Sequence, residues 1–272
     1  MLPSPALRRH VRAFAQRNAT GTRVEQRMPA YLETVLHFDF GGPMTVQFPD
    51  GWHTVRPRSV VGPHTRGGFG LRFDGDIDSF AIFLQPGALW SLFHVQVSEL
   101  METHYDTDDV LGTAASRLWD VLARTAQFGR RVQVAETFLS SCVQAEIRGT
   151  SINAAATIVA REGGRITIPR LASRVQLSVR QLERSFIREI GITPKRFARV
   201  ARFQNALDAR VREPGRSWLD IATVSGFSDQ MHLIHEFQSF GGLPPTRALE
   251  RLGDSRPEAL AASHGEPADS PA

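Results

Sequence analysis

Leu171-Ala172-Ser173-Arg174-Val175-Gln176-Leu177-Ser178 is followed by Leu182, Phe186, Gly191 and Pro194, and the chain then writes the same pattern a second time. Ile221-Ala222-Thr223-Val224-Ser225-Gly226-Phe227-Ser228 precedes Leu233, Phe237, Gly242 and Pro245. Leu171/Ile221 through Ser178/Ser228 lie 50 residues apart, and Leu182/Leu233 through Pro194/Pro245 lie 51 apart, so the second copy has one extra residue after its Ser. Each copy reads as a helix-turn-helix. Ala172 and Ala222 are small enough for a second helix to cross closely, and Leu177 and Phe227 plug the corner. Ser178 and Ser228 suit an N-cap, where a hydroxyl accepts an otherwise unpaired backbone N–H. Leu182 with Phe186, and Leu233 with Phe237, are spaced i, i+4 and share one inward face. Gly191 and Gly242 fit helix stops, each with a Pro three residues on.

The opposite faces carry the chemistry. Arg180, Glu183, Arg184 and Arg188 point outward from the second helix of the first copy, and Gln230, Met231, His232 and His235 from that of the second. Between the copies, Pro194 to about Arg212 has Pro in its first turn, no internal breaker and apolar residues Phe197, Val200, Ala201, Leu207 and Val211 at helical spacing. About 18 residues at roughly 1.5 Å each make a rod of about 27 Å. Successive major grooves on one face of B-DNA lie about 34 Å apart, so such a rod suits two reading helices in adjacent grooves. Charge agrees. Residues 165–252 hold 15 Lys and Arg against 8 Asp and Glu, a balance of +7, while residues 1–164 hold 16 of each. Neutralising phosphates requires that concentration of positive charge.

These residues resemble the AraC/XylS-type DNA-binding domain of bacterial transcription regulators. The resemblance covers about Arg165 to Leu252 and is densest from Ile221-Ala222 through Gly226-Phe227-Ser228-Asp229-Gln230, His232-Leu233, Glu236-Phe237 and Gly242-Leu243-Pro244-Pro245. One departure is His235, where many relatives carry Arg; a His lacks the bidentate fork that suits guanine. The resemblance implies a sequence-specific regulator that is not an enzyme, binds double-stranded DNA and meets RNA polymerase in the cytoplasm. Its eight outward residues named above would be the DNA contacts.

The N-terminal text is different. From about Ala30 to Phe93 short β-type runs alternate with turn residues: Thr34 to Phe40, Met44 to Phe48, Ser59 to Gly62, Gly70 to Asp74 and Ser79 to Leu84. Such spacing predicts a sandwich or barrel, with Asp74-Gly75-Asp76-Ile77-Asp78 as a hairpin turn. Helical patterns follow over Trp90 to Phe93, Leu111 to Thr125, Arg131 to Gln144 and Ala154 to Arg161, with Glu162-Gly163-Gly164 as a hinge. The expected architecture is therefore α+β: a β-rich domain with trailing helices over 1–150, an all-α DNA-binding domain of two helix-turn-helix units joined by a linker helix over 151–252, and a disordered tail over 253–272 rich in Pro, Ser, Ala and acidic residues.

The order of elements in 1–150 resembles the cupin-like sensors often joined to this DNA-binding unit, and Val35-Leu36-His37-Phe38 and Gln85-Pro86-Gly87-Ala88 look like segments of one variant. Such domains bind a small molecule or form a homodimer. Leu36, Phe38, Phe40, Phe73, Phe80, Ile82 and Leu84 are the expected interior, with His37, Trp52 and His53 as effector contacts; a solid core serving as a dimer platform is the alternative. A metal-dependent cupin enzyme is the rival reading, since His37, His53, His64, His94 and His104 fall in the right region. They lack the close His-x-His pair and nearby Glu of a metal set, so no metal or cofactor is expected. No phosphate loop or nucleophile elbow occurs. The single Cys142 fits a buried thiol in a reducing cytoplasm, and no apolar run is long enough for a membrane span.

Overall fold

The computed structural model describes residues 1–48, 51–67, 69–101, 103–143 and 151–247; the tail expectation for 253–272 lies outside them. Two long strands organise the N-terminal half. β1 (Val11–Met28) runs antiparallel to β6 (Phe69–Leu84) along nearly its whole length. On their outer face Arg23 meets Asp74 at 3.3 Å and Glu25 meets Arg72 at 3.0 Å, so alternating charge pins the register. β1 was not among the expected strands. Over its C-terminal half the alternation places charge, not apolar side chains, at every second position, with Val24, Gln26 and Met28 turned inward between Arg23, Glu25 and Arg27.

The stretch Asp74 to Asp78 is no hairpin. β6 continues through it with a register shift opposite Ala19–Thr22, and Gly75 at φ +97° and Gly21 at φ +57° take the bend that an L side chain resists. A bulge of this kind coils the pair toward a half-barrel. The other edge of β6 is shared: β2 (Thr34–Asp39) pairs with its C-terminal half and β3 (Met44–Phe48) with its N-terminal half. β4 (Gly51–Thr54) extends from β3, while β5 (Arg58–Val61) and β7 (His104–Asp106) extend from β2.

Along β2 the sheet is buried on both sides, and a strand's period of two sorts its residues. Leu36, Phe38, Phe80, Ile82 and Leu84 face a helical layer made of α1 (Ala88–Phe93), α2 (Thr107–Leu111), α3 (Thr113–Ala123) and α4 (Phe128–Val143). They form a filled core with Leu89, Leu118, Leu122 and Leu139. The expected interior was thus half right: these side chains are buried, but against helices, and the concave side takes the intervening residues. Fully buried Arg131 of α4 fastens the layer, donating to both carboxylate oxygens of Asp78 at 2.5 and 2.9 Å and lying 4.3 Å from the centre of the Phe40 ring.

The C-terminal half is helical: α5 (Ser151–Arg161), α6 (Ile168–Arg174), α7 (Val179–Ile190), α8 (Pro194–Arg212), α9 (Trp218–Ser225) and α10 (Gln230–Gly241). Its core runs from Ile152, Ala155 and Val159 through Leu171, Leu182, Phe186, Phe197 and Phe203 to Ile221, Leu233 and Phe237. Phe203 of α8 meets Phe237 edge-on at 4.8 Å. Ala30 and Leu32, from the segment between β1 and β2, are buried in this same helical core. Glu162-Gly163-Gly164 is no hinge. Gly164, at φ +71°, abuts the Ala198 carbonyl of α8, and Gly163 lies against Asn205.

Gly164→Ala is therefore expected to cost about 3 kcal/mol or more, since the left-handed backbone and the Cβ overlap both oppose it, whereas Gly215→Ala has open space and no positive φ. Urea denaturation of both variants checks this; equal midpoints would show that the α5–α8 junction is loose.

Candidate nucleic-acid interface and internal cavity

α7 begins where Ser178 accepts the Gln181 N–H at 3.2 Å and the Gln181 side chain accepts the Ser178 N–H at 2.9 Å. That reciprocal cap fixes the first turn, and Gly191 ends the helix at φ +92°. In the second copy the cap is Asp229, not Ser228: its carboxylate accepts the His232 N–H at 2.7 Å. The extra residue after Ser228 moves the start one position on. This bond holds the Asp229 carboxyl below its ordinary value, aided by the Ser228 hydroxyl. Between them α8 spans 19 residues, capped by Thr193 and opened by Pro194, and so measures about 28 Å.

Arg180, Glu183 and Arg184 lie side by side on the exposed face of α7, and Gln230, Met231 and His235 on that of α10, with Met231 58% exposed. Two expected contacts are otherwise engaged. His232 is half-buried, its Nδ1 facing the Ser228 hydroxyl at 3.2 Å and its Nε2 3.8 Å from Glu236. Arg188 leans toward the β-rich half: its guanidinium donates to Glu189 at 2.7 Å and lies 5.0 Å from the Trp90 ring centre. Glu236, nearly fully buried, is held bidentately by Arg199 from α8.

Both α7 and α10 end against the N-terminal half. The last carbonyls of a helix have no partner of their own. Here the Phe240 carbonyl of α10 accepts the Ala30 N–H at 2.6 Å, and the Ser239 carbonyl accepts the Gly67 N–H at 3.1 Å. Gly67 packs so closely on Phe240 that a Cβ would overlap its carbonyl. From α8, Arg196 donates to the Thr65 carbonyl at 3.0 Å. Gly191, closing α7, abuts Met101 and Val97 beside the 3₁₀ turn Val97–Leu100.

The concave side of the sheet encloses a cavity of about 400 Å³. The odd-numbered residues of β6 line it: Phe69, Leu71, Phe73, Ser79, Ala81 and Phe83. His37 faces it as expected, joined by Arg17, which sequence reasoning missed because β1 is not legible as a strand. Trp52 and His53 do not reach it. β4 sits at the sheet margin, where the Trp52 ring packs under the Arg72 guanidinium, 4.1 Å away, and His53 is exposed. His64 and His104 also line the cavity, yet among the described residues no three His, Cys, Asp or Glu side chains form a metal-binding group.

Tyr31 and His64 form one wall. They exchange backbone hydrogen bonds at 2.8 and 3.1 Å, and their rings stack at 5.3 Å with Phe69 tilted against both. Their chain neighbours are Ala30 and Thr65, so the wall of the cavity and the partners of α10 and α8 are the same two segments.

Burial, and then the charge of Arg17, pull the His37 imidazole down to about 4. An unfolded His37 takes up its proton near 6.5 and the folded one only near 4, so acidification across that window favours the unfolded chain. At about 1.4 kcal/mol per pH unit the loss reaches roughly 3 kcal/mol. Buried Asp39, pushed up to about 6 chiefly by burial, acts in the opposite sense between 3.8 and 6. His37→Gln should therefore lose less stability than the parent between pH 6.5 and 4.5, and the His37 ring protons should not titrate near 6.5 by NMR; a midpoint there would refute the buried neutral imidazole.

A model described as a helix-turn-helix domain matches residues 171–251, and the Domain of unknown function (DUF6597) matches residues 1–106. Among solved structures, an apo single-residue variant of ToxT from Vibrio cholerae strain SCE256 superposes with a TM-score of 0.50 at 13% identity, covering 88% of this chain and 98% of that one. Wild-type ToxT of the same strain with an unsaturated fatty acid bound gives 0.48 at 11%, covering 88% and 94%, and ToxT of Vibrio cholerae O395 bound to (E)-4-(8-methylnaphthalen-1-yl)but-3-enoic acid gives 0.49 at 11%, covering 89% and 100%. The first of these, at its identity, speaks for the fold alone, a β half-barrel followed by helices and a helical C-terminal domain. No curated protein sequence matches the chain. The two capped helices, the linker between them and the matched segment agree: residues 171–251 form an AraC-type helix-turn-helix domain, the DNA-binding unit of a transcription regulator.

Proposed function

We propose that α7 and α10 read two successive major grooves on one face of the DNA, and that a small molecule in the 400 Å³ cavity sets how well they do so. The observation that carries this reading is the shared wall. Tyr31 and His64 line the cavity, while Ala30, Thr65 and Gly67 hold α10 and α8 by hydrogen bonds. A ligand that displaces the Tyr31 and His64 rings moves the backbone that closes α10. Coupling between two such sites is typically about 1–3 kcal/mol, enough to change operator affinity by one to two orders of magnitude.

On the DNA side, Arg180, Glu183 and Arg184 are the base-reading set of α7, and Gln230, Met231 and His235 that of α10. Arg188 and His232 are better placed to hold the helices than to read bases. Lys195, Arg212 and the rest of the basic surface supply phosphate contacts. The protein works in the cytoplasm on double-stranded DNA, beside RNA polymerase, as a regulator and not as an enzyme. The dispersed histidines and the absence of a metal-binding group among the described residues give the cupin-enzyme alternative no support.

Selection of binding sites from random DNA by the full chain tests this reading. A bidentate base contact contributes about 1–3 kcal/mol of discrimination, so Arg184→Ala should flatten preference at a few adjacent base pairs and leave the rest intact. Affinity for all sequences should fall with salt at a slope near about −0.9 per phosphate contact. An unchanged sequence preference in Arg184→Ala would remove α7 from the reading role.

A further inference from the structure

The cavity holds a positive charge that no neighbouring carboxylate balances. Arg17 donates to the neutral Gln26 side chain at 3.1 Å and lies 5.4 Å from the Phe73 ring centre; among the described residues no Asp or Glu pairs with it. Arg12, the other arginine at the cavity, pairs with Glu33. Asp39 shares a cross-strand row with Arg17 through Ser79, but its carboxylate turns back to the Gly41 N–H. Burial pulls the Arg17 guanidinium below its ordinary value, the mark of a charge held in poor solvent.

Beside it stands His37, only 9% exposed, with a ring nitrogen that has no hydrogen-bond partner in the structure. In its row the neighbours are Ala81 and Ser59, with Ala15 beyond Ala81, and in the next row Ser79 separates Arg17 from Asp39. These small side chains leave the space above the two polar groups open. Much of the remaining lining is apolar, Val35, Val46, Leu71, Phe73 and Phe83 among it, while Gln16, Gln26, His64 and His104 add polar groups and Arg12 faces Glu33.

We propose that the cavity binds an apolar monocarboxylate, its head group on Arg17 and His37 and its tail along Val46, Leu71, Phe73 and Phe83. The guanidinium fork and one imidazole N–H match the two oxygens of a carboxylate. A phosphate dianion needs more donors, and the sheet lining has already committed its backbone N–H groups to neighbouring strands. The proposal deepens the sensor reading and rests on it, but through residues that the DNA interface does not use.

The test is a thermal-shift and calorimetric comparison on the full chain, with hexanoate, decanoate and phenylbutyrate set against decanol, each below its micelle concentration. Carboxylates should raise the melting temperature and decanol should not. Arg17→Met should weaken carboxylate binding by at least about tenfold. Ala81→Phe, which keeps Arg17 but fills the open space, should abolish it, and decides the matter should Arg17→Met fail to fold. Equal binding of decanol, undiminished binding by either folded variant, or no carboxylate binding at millimolar concentration would overturn the proposal. Operator affinity measured on the same samples separates the two claims. Carboxylate binding that leaves it unmoved upholds the ligand class and sinks the sensor reading. A neutral metabolite that shifts it while carboxylates fail does the reverse.

Discussion

Two backbone hydrogen bonds, from Ala30 and Gly67 to the last carbonyls of α10, are the constraint on which the architecture turns. A helix leaves its terminal carbonyls unsatisfied, and burying them unpaired costs about 1–3 kcal/mol each. Here two segments of the N-terminal half satisfy them, one bond each. The first of these, between β1 and β2, sends Ala30 and Leu32 into the helical core and Tyr31 into the cavity, because successive residues of an extended chain point to opposite sides. The two halves are thus not beads on a string. They share a core, and the last turn of α10 is completed by the β-rich half.

The helix-turn-helix units were legible in the sequence because their determinants are local and carry distinctive residues. Ser178 with Gln181 caps α7, Gly191 and Gly242 take left-handed backbone at the ends, and Pro194 opens α8, each readable within a few positions. Only the second cap slipped, since Ser228 and Asp229 stand adjacent and both can accept. The β-rich half was legible in class but not in register. Alternation tells which residues share a face, not which face meets helices and which a hollow. Leu36 and Phe38 lie on one side of β2 and Val35 and His37 on the other, and every residue of that strand is buried. β1 hid because its outer row is charged over its C-terminal half, and β6 was split in two because Gly75, opposite the bulge in β1, reads as a turn.

Of the candidate effector residues, His37 lines the cavity from its place in an apolar strand, while Trp52 and His53 lie away from it because β4 belongs to the sheet margin. Arg17 gave no signal of its own. Its position depends on the coiling of β1 around the bulge, which brings it within reach of Gln26 on the same strand. A cavity is defined by what is missing above Ala15, Ser79 and Ala81, and the pairing of three strands decides where those small residues line up. No reading of one strand at a time reveals that.

The unequal reading helices carry a consequence of another kind. A dimer of identical chains meets DNA with twofold symmetry, and its site reads the same from either strand. α7 presents two arginines and a glutamate, while α10 presents glutamine, methionine and histidine, and α8 ties the two in a fixed order within one chain. On the proposed reading the site has a head and a tail. A single bound chain then points along the genome, so turning its site around changes which gene lies in front of it without altering how tightly the protein holds.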